Sequence, residues 1–243
     1  MIRILLYHHI AHPLSPYSIS LKKFEKHLRF LKENYSFTLP GEPSQKKNEL
    51  CLTFDDAYFD FYHYAYPLLK KMQIPFVLAI PTKYILEHSD LSPATRLAHQ
   101  KTDLFKNYKK QASFCTWEEI NKMASETALC LASHTHSHID MTSSNIDIQT
   151  ELSHSQALIE SHTRQKCDCF VYPFGKCNNS IHSQVMEHYQ WAMRIGSAIN
   201  LSWQSRLLYR IVVNESKPIE ELFRSAQSLT YLLSFFFNKM RNK

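Results

Sequence analysis

Two adjacent carboxylates, Asp55 and Asp56, follow the apolar run 50–54 in this 243-residue chain. Neighbouring side chains of an extended segment point to opposite sides. One acid could therefore bind a cation while the other faces a different part of the same pocket. Taken alone, the pair reads equally well as a helix N-cap. A second cluster, Ser133-His134-Thr135-His136-Ser137-His138, follows another apolar run at 128–132. It offers imidazoles at i and i+4, a spacing that can converge on one metal within a helical turn. A solvated polar loop is the alternative. One carboxylate with two imidazoles leaves coordination positions open for water or substrate, as catalytic zinc sites do and closed structural sites do not.

Such side chains need rigid elements beneath them. Short apolar runs at 2–7, 50–54, 76–80, 128–132, 169–172 and 210–213 carry the signature of strands buried on both faces. Between them, 21–31, 59–72, 146–161 and 181–189 have helical spacing. The alternation predicts one α/β domain, an open sheet or a distorted barrel, with functional residues at the carboxyl ends of the strands. Thr116 and Glu119 are placed for a capping box. Pro67 predicts a kink or a helix that begins again beside it. The polar stretch 87–113 predicts a surface insertion with a short helix.

Composition narrows the classes further. Lys and Arg number 28 against 22 Asp and Glu, a net charge of +6 with the 14 His neutral. The charge is scattered, without the basic stripe that nucleic-acid binding needs. Only 3 Gly occur, too few for a dinucleotide fingerprint or a phosphate loop. Six cysteines, including Cys167, Cys169 and Cys177 in a spacing that fits no common zinc pattern, read as ordinary thiols of a reducing compartment. The start Ile2 to Tyr7 is short for a secretory signal, and no run approaches a membrane span. A cytoplasmic protein is expected.

Read in order, Thr53-Phe54-Asp55-Asp56, His134-Thr135-His136-Ser137-His138 and Phe170-Val171-Tyr172-Pro173-Phe174-Gly175 resemble the three motifs of the polysaccharide deacetylases, the NodB-homology domain of carbohydrate esterase family 4. The resemblance runs over about residues 4–213. It implies a distorted (β/α) barrel over 1–215, followed by a helical basic tail at 216–243. It implies a hydrolase that uses a divalent metal, zinc first with cobalt or nickel acceptable, to remove an N-acetyl group from an amino sugar. That sugar could be a polysaccharide or linked to a lipid or nucleotide. An amidase or deformylase on a non-polymeric substrate, or a non-catalytic carbohydrate-binding relative, would share the fold. Carried over by residue, Asp56, His134 and His138 become the metal ligands, Asp55 the general base and the backbone N–H of Phe174 an oxyanion donor. Tyr172, Pro173 and Arg210 are assigned to the substrate-binding surroundings.

The resemblance is incomplete. The family's usual acid is a His in a Leu-x-His motif near the carboxyl end, whereas after Gly175 only His182 and His188 remain, neither in that context. Leu86-Glu87-His88 and Leu97-Ala98-His99 match the letters but fall between the first two motifs. Leu5-Leu6-Tyr7-His8-His9-Ile10 is similar to the Tyr-His segment of the circularly permuted exopolysaccharide deacetylases, which makes His8 the general acid and His9 its nearest rival, with His12 close by. Ala57 stands where Gly commonly follows the acids and is expected at negative φ. Val171 stands where an Arg commonly orients the base. Arg210 could replace it, against the simpler reading of a solvated charge at a strand end. His136 is expected beside the metal set or in solvent. The tail, with Tyr231 to Phe237 ahead of Lys239, Arg241 and Lys243, reads as a last helix packed on the barrel, with peripheral membrane contact as the alternative.

Overall fold

Strand-forming runs that are apolar on both faces must be covered on both faces, and a closed parallel sheet inside a shell of helices does this. The computed structural model of the protein describes residues 1–11, 16–43, 48–98 and 104–241. Its strands are β1 (Ile2–Tyr7), β2 (Ser36–Phe37), β3 (Glu49–Phe54), β4 (Phe76–Ile80), β5 (Leu129–Ser133), β6 (Cys169–Val171), β7 (Trp191–Ile195) and β8 (Leu207–Val212). The sheet runs β1-β8-β7-β6-β5-β4-β3, and β3 pairs again with β1. All these pairings are parallel. The result is the expected distorted (β/α) barrel, closed and surrounded by helices. The two-residue β2 lies against the start of β3.

Side-chain alternation divides the barrel into two cores. Ile2, Ile4, Cys51, Val77, Ala79, Ala132, Cys169, Val171, Met193 and Leu208 form one buried cluster, the barrel interior. Leu5, Tyr7, Leu52, Phe54, Phe76 and Leu78 point the other way into the layer beneath the helices. That layer is covered by α1 (Leu21–Asn34), α2 (Tyr66–Met72), α5 (Trp117–Glu126), α6 (Ile148–Thr163) and α7 (Asn179–His188). Burying such runs, at roughly 25 cal/mol per Å² of apolar surface, holds the strand ends still enough to carry a site.

Local signals act as their chemistry dictates. Thr116 and Glu119 form the reciprocal capping box of α5. The helix containing Pro67 does begin again: a π-helical turn at Phe61–Ala65 gives way to α2, where Pro67 sits in the first turn and its missing N–H costs nothing. The insertion contains α3 (Pro93–Leu97) and α4 (Tyr108–Gln111). It is pinned by Arg96, which grips Glu119 at 2.6 and 3.0 Å and donates to the Ala112 and Phe114 carbonyls. The final helix, α8 (Ser225–Arg241), packs Tyr231 and Phe235 onto the barrel. No helix among the described residues is long and apolar enough to cross a membrane. His12, His99, Asn242 and Lys243 lie outside the described residues.

Loss of the Thr116 hydroxyl removes one half of the capping box, so Thr116→Ala should lower stability by about 1 kcal/mol. Urea unfolding of wild type and variant measures the difference.

Candidate active site

The inward-facing positions of β3 continue past its end. Thr53 faces the interior, Phe54 the helical layer, and Asp55 again the barrel mouth. The chain then turns sharply, with Asp56 at φ 68° and Ala57 at φ 50°. Left-handed backbone at two successive non-glycine residues swings Asp56 across the mouth instead of letting it follow the strand. This corrects the expectation that Ala57 sits at negative φ. A methyl is small enough to be carried there, at the roughly 1–2 kcal/mol that such a conformation costs an L-residue. Thr135, His138 and Phe174 share the conformation, at φ 62°, 52° and 58°.

Asp56, His134 and His138 meet. Asp56 Oδ1 lies 3.1 Å from His138 Nε2 and 3.5 Å from His134 Nε2. One ligand atom from each residue falls within 4.8 Å of the others, and among the described residues this is the group of its kind. The donor set fits a divalent cation for a reason visible in its hydrogen bonding. His134 Nδ1 is 2.7 Å from the Val171 carbonyl, which can only accept. The proton therefore sits on Nδ1, and Nε2 turns its lone pair towards Asp56. Asp56 Oδ1 is itself buried without a hydrogen-bond partner. Lone pair facing lone pair in a dry site calls for a positive charge between them. Burial pushes the His134 imidazole down to about 4, so it stays neutral. Burial also lowers His138, but the Asp56 carboxylate outweighs this and leaves it above its ordinary value. Asp56, raised by burial, is brought down overall by His138. His136 turns away, bonding Thr82 Oγ1 at 2.9 Å and stacking on His154.

Asp55 has a different partner. Arg210, wholly buried, places Nη1 2.6 Å from Oδ1 and Nη2 2.9 Å from Oδ2, and Nη1 also reaches Thr53 Oγ1 at 3.2 Å. The solvated strand-end reading of Arg210 is thereby overturned. On β8, Arg210 is two residues beyond Leu208 and shares its inward face, so alternation carries the guanidinium into the barrel mouth. There its planar fork is matched by a carboxylate. Burial alone would raise Asp55, but the Arg210 guanidinium holds it below the usual carboxylate range.

Around these groups is a cavity of about 350 Å³ lined also by His8, His9, Tyr17, Tyr58, Leu104, Phe105, Tyr172, Phe174, Gly175 and Ile195. His8 Nε2 is 3.8 Å from Asp55 Oδ2, its ring stacks on Tyr17, and burial lowers its pKa. His9 instead bonds buried Asp60 at 2.7 Å and stacks on Tyr58 at 4.0 Å. Burial, and after it the nearby Asp56 carboxylate, pushes the Tyr58 hydroxyl up. Phe174 leaves its ring 58% exposed on the rim, 4.9 Å from that of His138. Tyr172 is buried with its hydroxyl 2.9 Å from His182 Nδ1, and Pro173 is buried at the start of the Phe174 turn. Tyr172 lines the cavity, whereas Pro173 does not. Tyr58, Asp60 and the aromatic walls Tyr17 and Phe105 were not singled out by sequence. For Tyr58 and Asp60 the available signal was their place two and four residues after Asp56, Tyr58 lining the cavity and Asp60 buried behind His9. Of the Leu-x-His matches, the segment at 86–88 directs Glu87 to His162, and His99 is not among the described residues.

The polysaccharide deacetylase profile matches residues 42–191. The chain belongs to the polysaccharide deacetylase family. Within this family it is 28% identical over 185 residues to the putative polysaccharide deacetylase YxkH of Bacillus subtilis. The alignment spans 72% of this chain but only 57% of that protein. The polysaccharide deacetylase fold recurs in solved structures. One is the Streptococcus pyogenes deacetylase PplD in complex with acetate, at TM-score 0.72 and 24% identity, covering 91% of this chain and 96% of that one. Another is IcaB from Ammonifex degensii, at TM-score 0.72 and 19% identity, covering 95% and 96%.

Removing one member of the buried Arg210–Asp55 pair strands the other. Arg210→Met should therefore destabilise by about 3–5 kcal/mol, and Asp55→Asn with Arg210→Met should recover part of that loss. Chemical denaturation of the four proteins closes the cycle. Because a proton on His138 competes with a cation for Nε2, zinc uptake should fall as pH drops from about 8 to about 5. Metal content after dialysis at each pH reads this directly. Ala57→Gly should stay within about 1 kcal/mol of wild type, whereas Ala57→Val, branched and buried in left-handed backbone, should cost about 2–3 kcal/mol on thermal or urea unfolding.

Proposed function

We propose that the protein is a metal-dependent hydrolase that removes the N-acetyl group from an amino sugar, whether polymeric, lipid-linked or nucleotide-linked. The observation that carries this reading is the pairing, in one cavity, of a carboxylate locked ionised by a buried guanidinium with a neighbouring carboxylate and two imidazoles that lack a cation's charge between them. The family relationship supports an acetylated carbohydrate as substrate.

Asp56, His134 and His138 would hold the cation, zinc or else cobalt or nickel. It would supply Lewis acidity, lowering the pKa of water and polarising the amide carbonyl. Asp55 accepts the water's proton. Its depressed pKa makes it a weak base that is always ionised at working pH, and water acidified in this way needs no stronger one. Each Asp55 oxygen takes one bond from Arg210, which fixes the carboxylate plane and leaves lone pairs for the proton. His8, neutral and 3.8 Å from Asp55, can take up that proton and deliver it to the departing amine nitrogen. The backbone N–H of Phe174, in its left-handed turn at the rim, is the donor for the oxygen that gains charge in the tetrahedral transition state. Tyr17, Phe105 and Phe174 offer flat apolar faces for a pyranose ring. Acetate and a free amino sugar are the products.

Asp55→Asn should retain bound metal and lose turnover, and wild-type turnover in that variant would overturn the mechanism. His8→Ala should slow acetate release by roughly 10²- to 10⁴-fold at unchanged metal content; an unaltered rate would remove His8 from proton delivery. Acetate release across N-acetylated sugar donors, read beside metal analysis of the purified protein, tests the reaction itself. Release from none of them would sink the proposal.

A further inference from the structure

The helix α8 has two apolar faces, and the barrel uses one. Tyr231 and Phe235 are buried against the barrel, with Phe235 edge-on to Tyr209. Leu229, Leu233, Phe236 and Met240 are 59%, 61%, 50% and 66% exposed. At 3.6 residues per turn these four stand within a sector of about 60° on the helix, a continuous strip along the side that faces away from the barrel. Isolated exposed apolar residues are ordinary, but an aligned strip of four large ones marks an interaction surface.

Charge selects the partner. The helix sequence Ser225–Arg241 contains no Asp or Glu, and its cations, Lys239 and Arg241, lie in the last turn. Beside that turn a cleft of about 310 Å³ is lined by residues in or next to α7, β8 and α8, among them the apolar Leu207 and Phe235 and the cationic Arg206 and Lys239. A convex strip without acids, ending in cations beside a cationic cleft, is complementary to a surface that is apolar a few ångströms down and negative on top. A bilayer supplies this and deforms around a convex strip, whereas a protein partner would need a matching acidic groove.

We infer that α8 docks the protein peripherally on an anionic phospholipid bilayer, with Leu229, Leu233, Phe236 and Met240 in the acyl boundary and Lys239 and Arg206 among the phosphates. The helix lies flat, as one not long and apolar enough to cross a membrane must. The docking also orients the barrel. Asn238 on α8 donates to the Gly196 carbonyl at 2.9 Å, and the preceding residue, Ile195, lines the catalytic cavity. The cationic end of the helix is therefore at the mouth end of the barrel, and a docked molecule holds its cavity close to the lipid surface.

The test uses the full chain and sedimented vesicles of phosphatidylcholine, with or without phosphatidylglycerol. Wild type should partition onto the phosphatidylglycerol vesicles, Leu233→Glu with Phe236→Glu should partition at least about tenfold less, and Lys239→Glu should weaken binding with a shallower salt dependence. Circular dichroism and acetate release from a soluble donor should be unchanged in the double variant, which keeps this result separate from the fate of the catalytic proposal. No partition of wild type, equal partition of the double variant, or equal binding to pure phosphatidylcholine would each overturn the inference. So would self-association of wild type in sedimentation velocity that the double variant abolishes without any vesicle binding, which would assign the strip to a second copy.

Discussion

Two carboxylates on consecutive residues, each only 4% exposed, set the problem that this barrel mouth solves. Buried acids stay ionised only if each has its own positive partner, and a single shared cation would leave both poorly served. The chain separates them. Asp55 continues the inward face of β3 and meets Arg210 from β8, across the seam where β1 joins the two strands. Asp56 is swung out of register by left-handed backbone and meets imidazoles from the loop after β5. Their environments differ, although both carboxyls end below the usual range.

The cost of this arrangement is concentrated in the loops. Asp56, Ala57, Thr135, His138 and Phe174 all adopt positive φ without being glycine, each at a small energetic penalty. The barrel below, with its interior and outer apolar layers, is rigid enough to hold these conformations. Aromatic contacts add support at the mouth itself, where Phe105 from the insertion stacks on His138 at 4.9 Å. The insertion is thus part of the wall of the site, and the Arg96–Glu119 clamp at its base has a bearing on how His138 is held.

Much of this was legible from residue order. Apolar runs located most of the strands closely, because a strand buried on both faces leaves little room for polar residues. Strand β7 escaped because Arg194 interrupts its run, and β2 because two residues carry no period. The motif residues Asp56, His134 and His138 declared a cluster through their types and their positions just past strand ends. Arg210 was ambiguous for a physical reason: alternation gives its face only once the strand's start is known, and β8 begins at Leu207, three residues earlier than its apolar run suggested. The handedness at Ala57 was misjudged because alanine's preference is a weak local term that tertiary contacts override.

The bond from His134 Nδ1 to the Val171 carbonyl has an implication for how this protein can vary. The group that sets the tautomer is a peptide oxygen, so no replacement of the side chain at 171 deletes it, and systematic alanine substitution would pass over it in silence. What can disturb it is a shift of β6 along its neighbours, which makes strand register, rather than residue identity, the hidden determinant of whether His134 offers a lone pair or a proton.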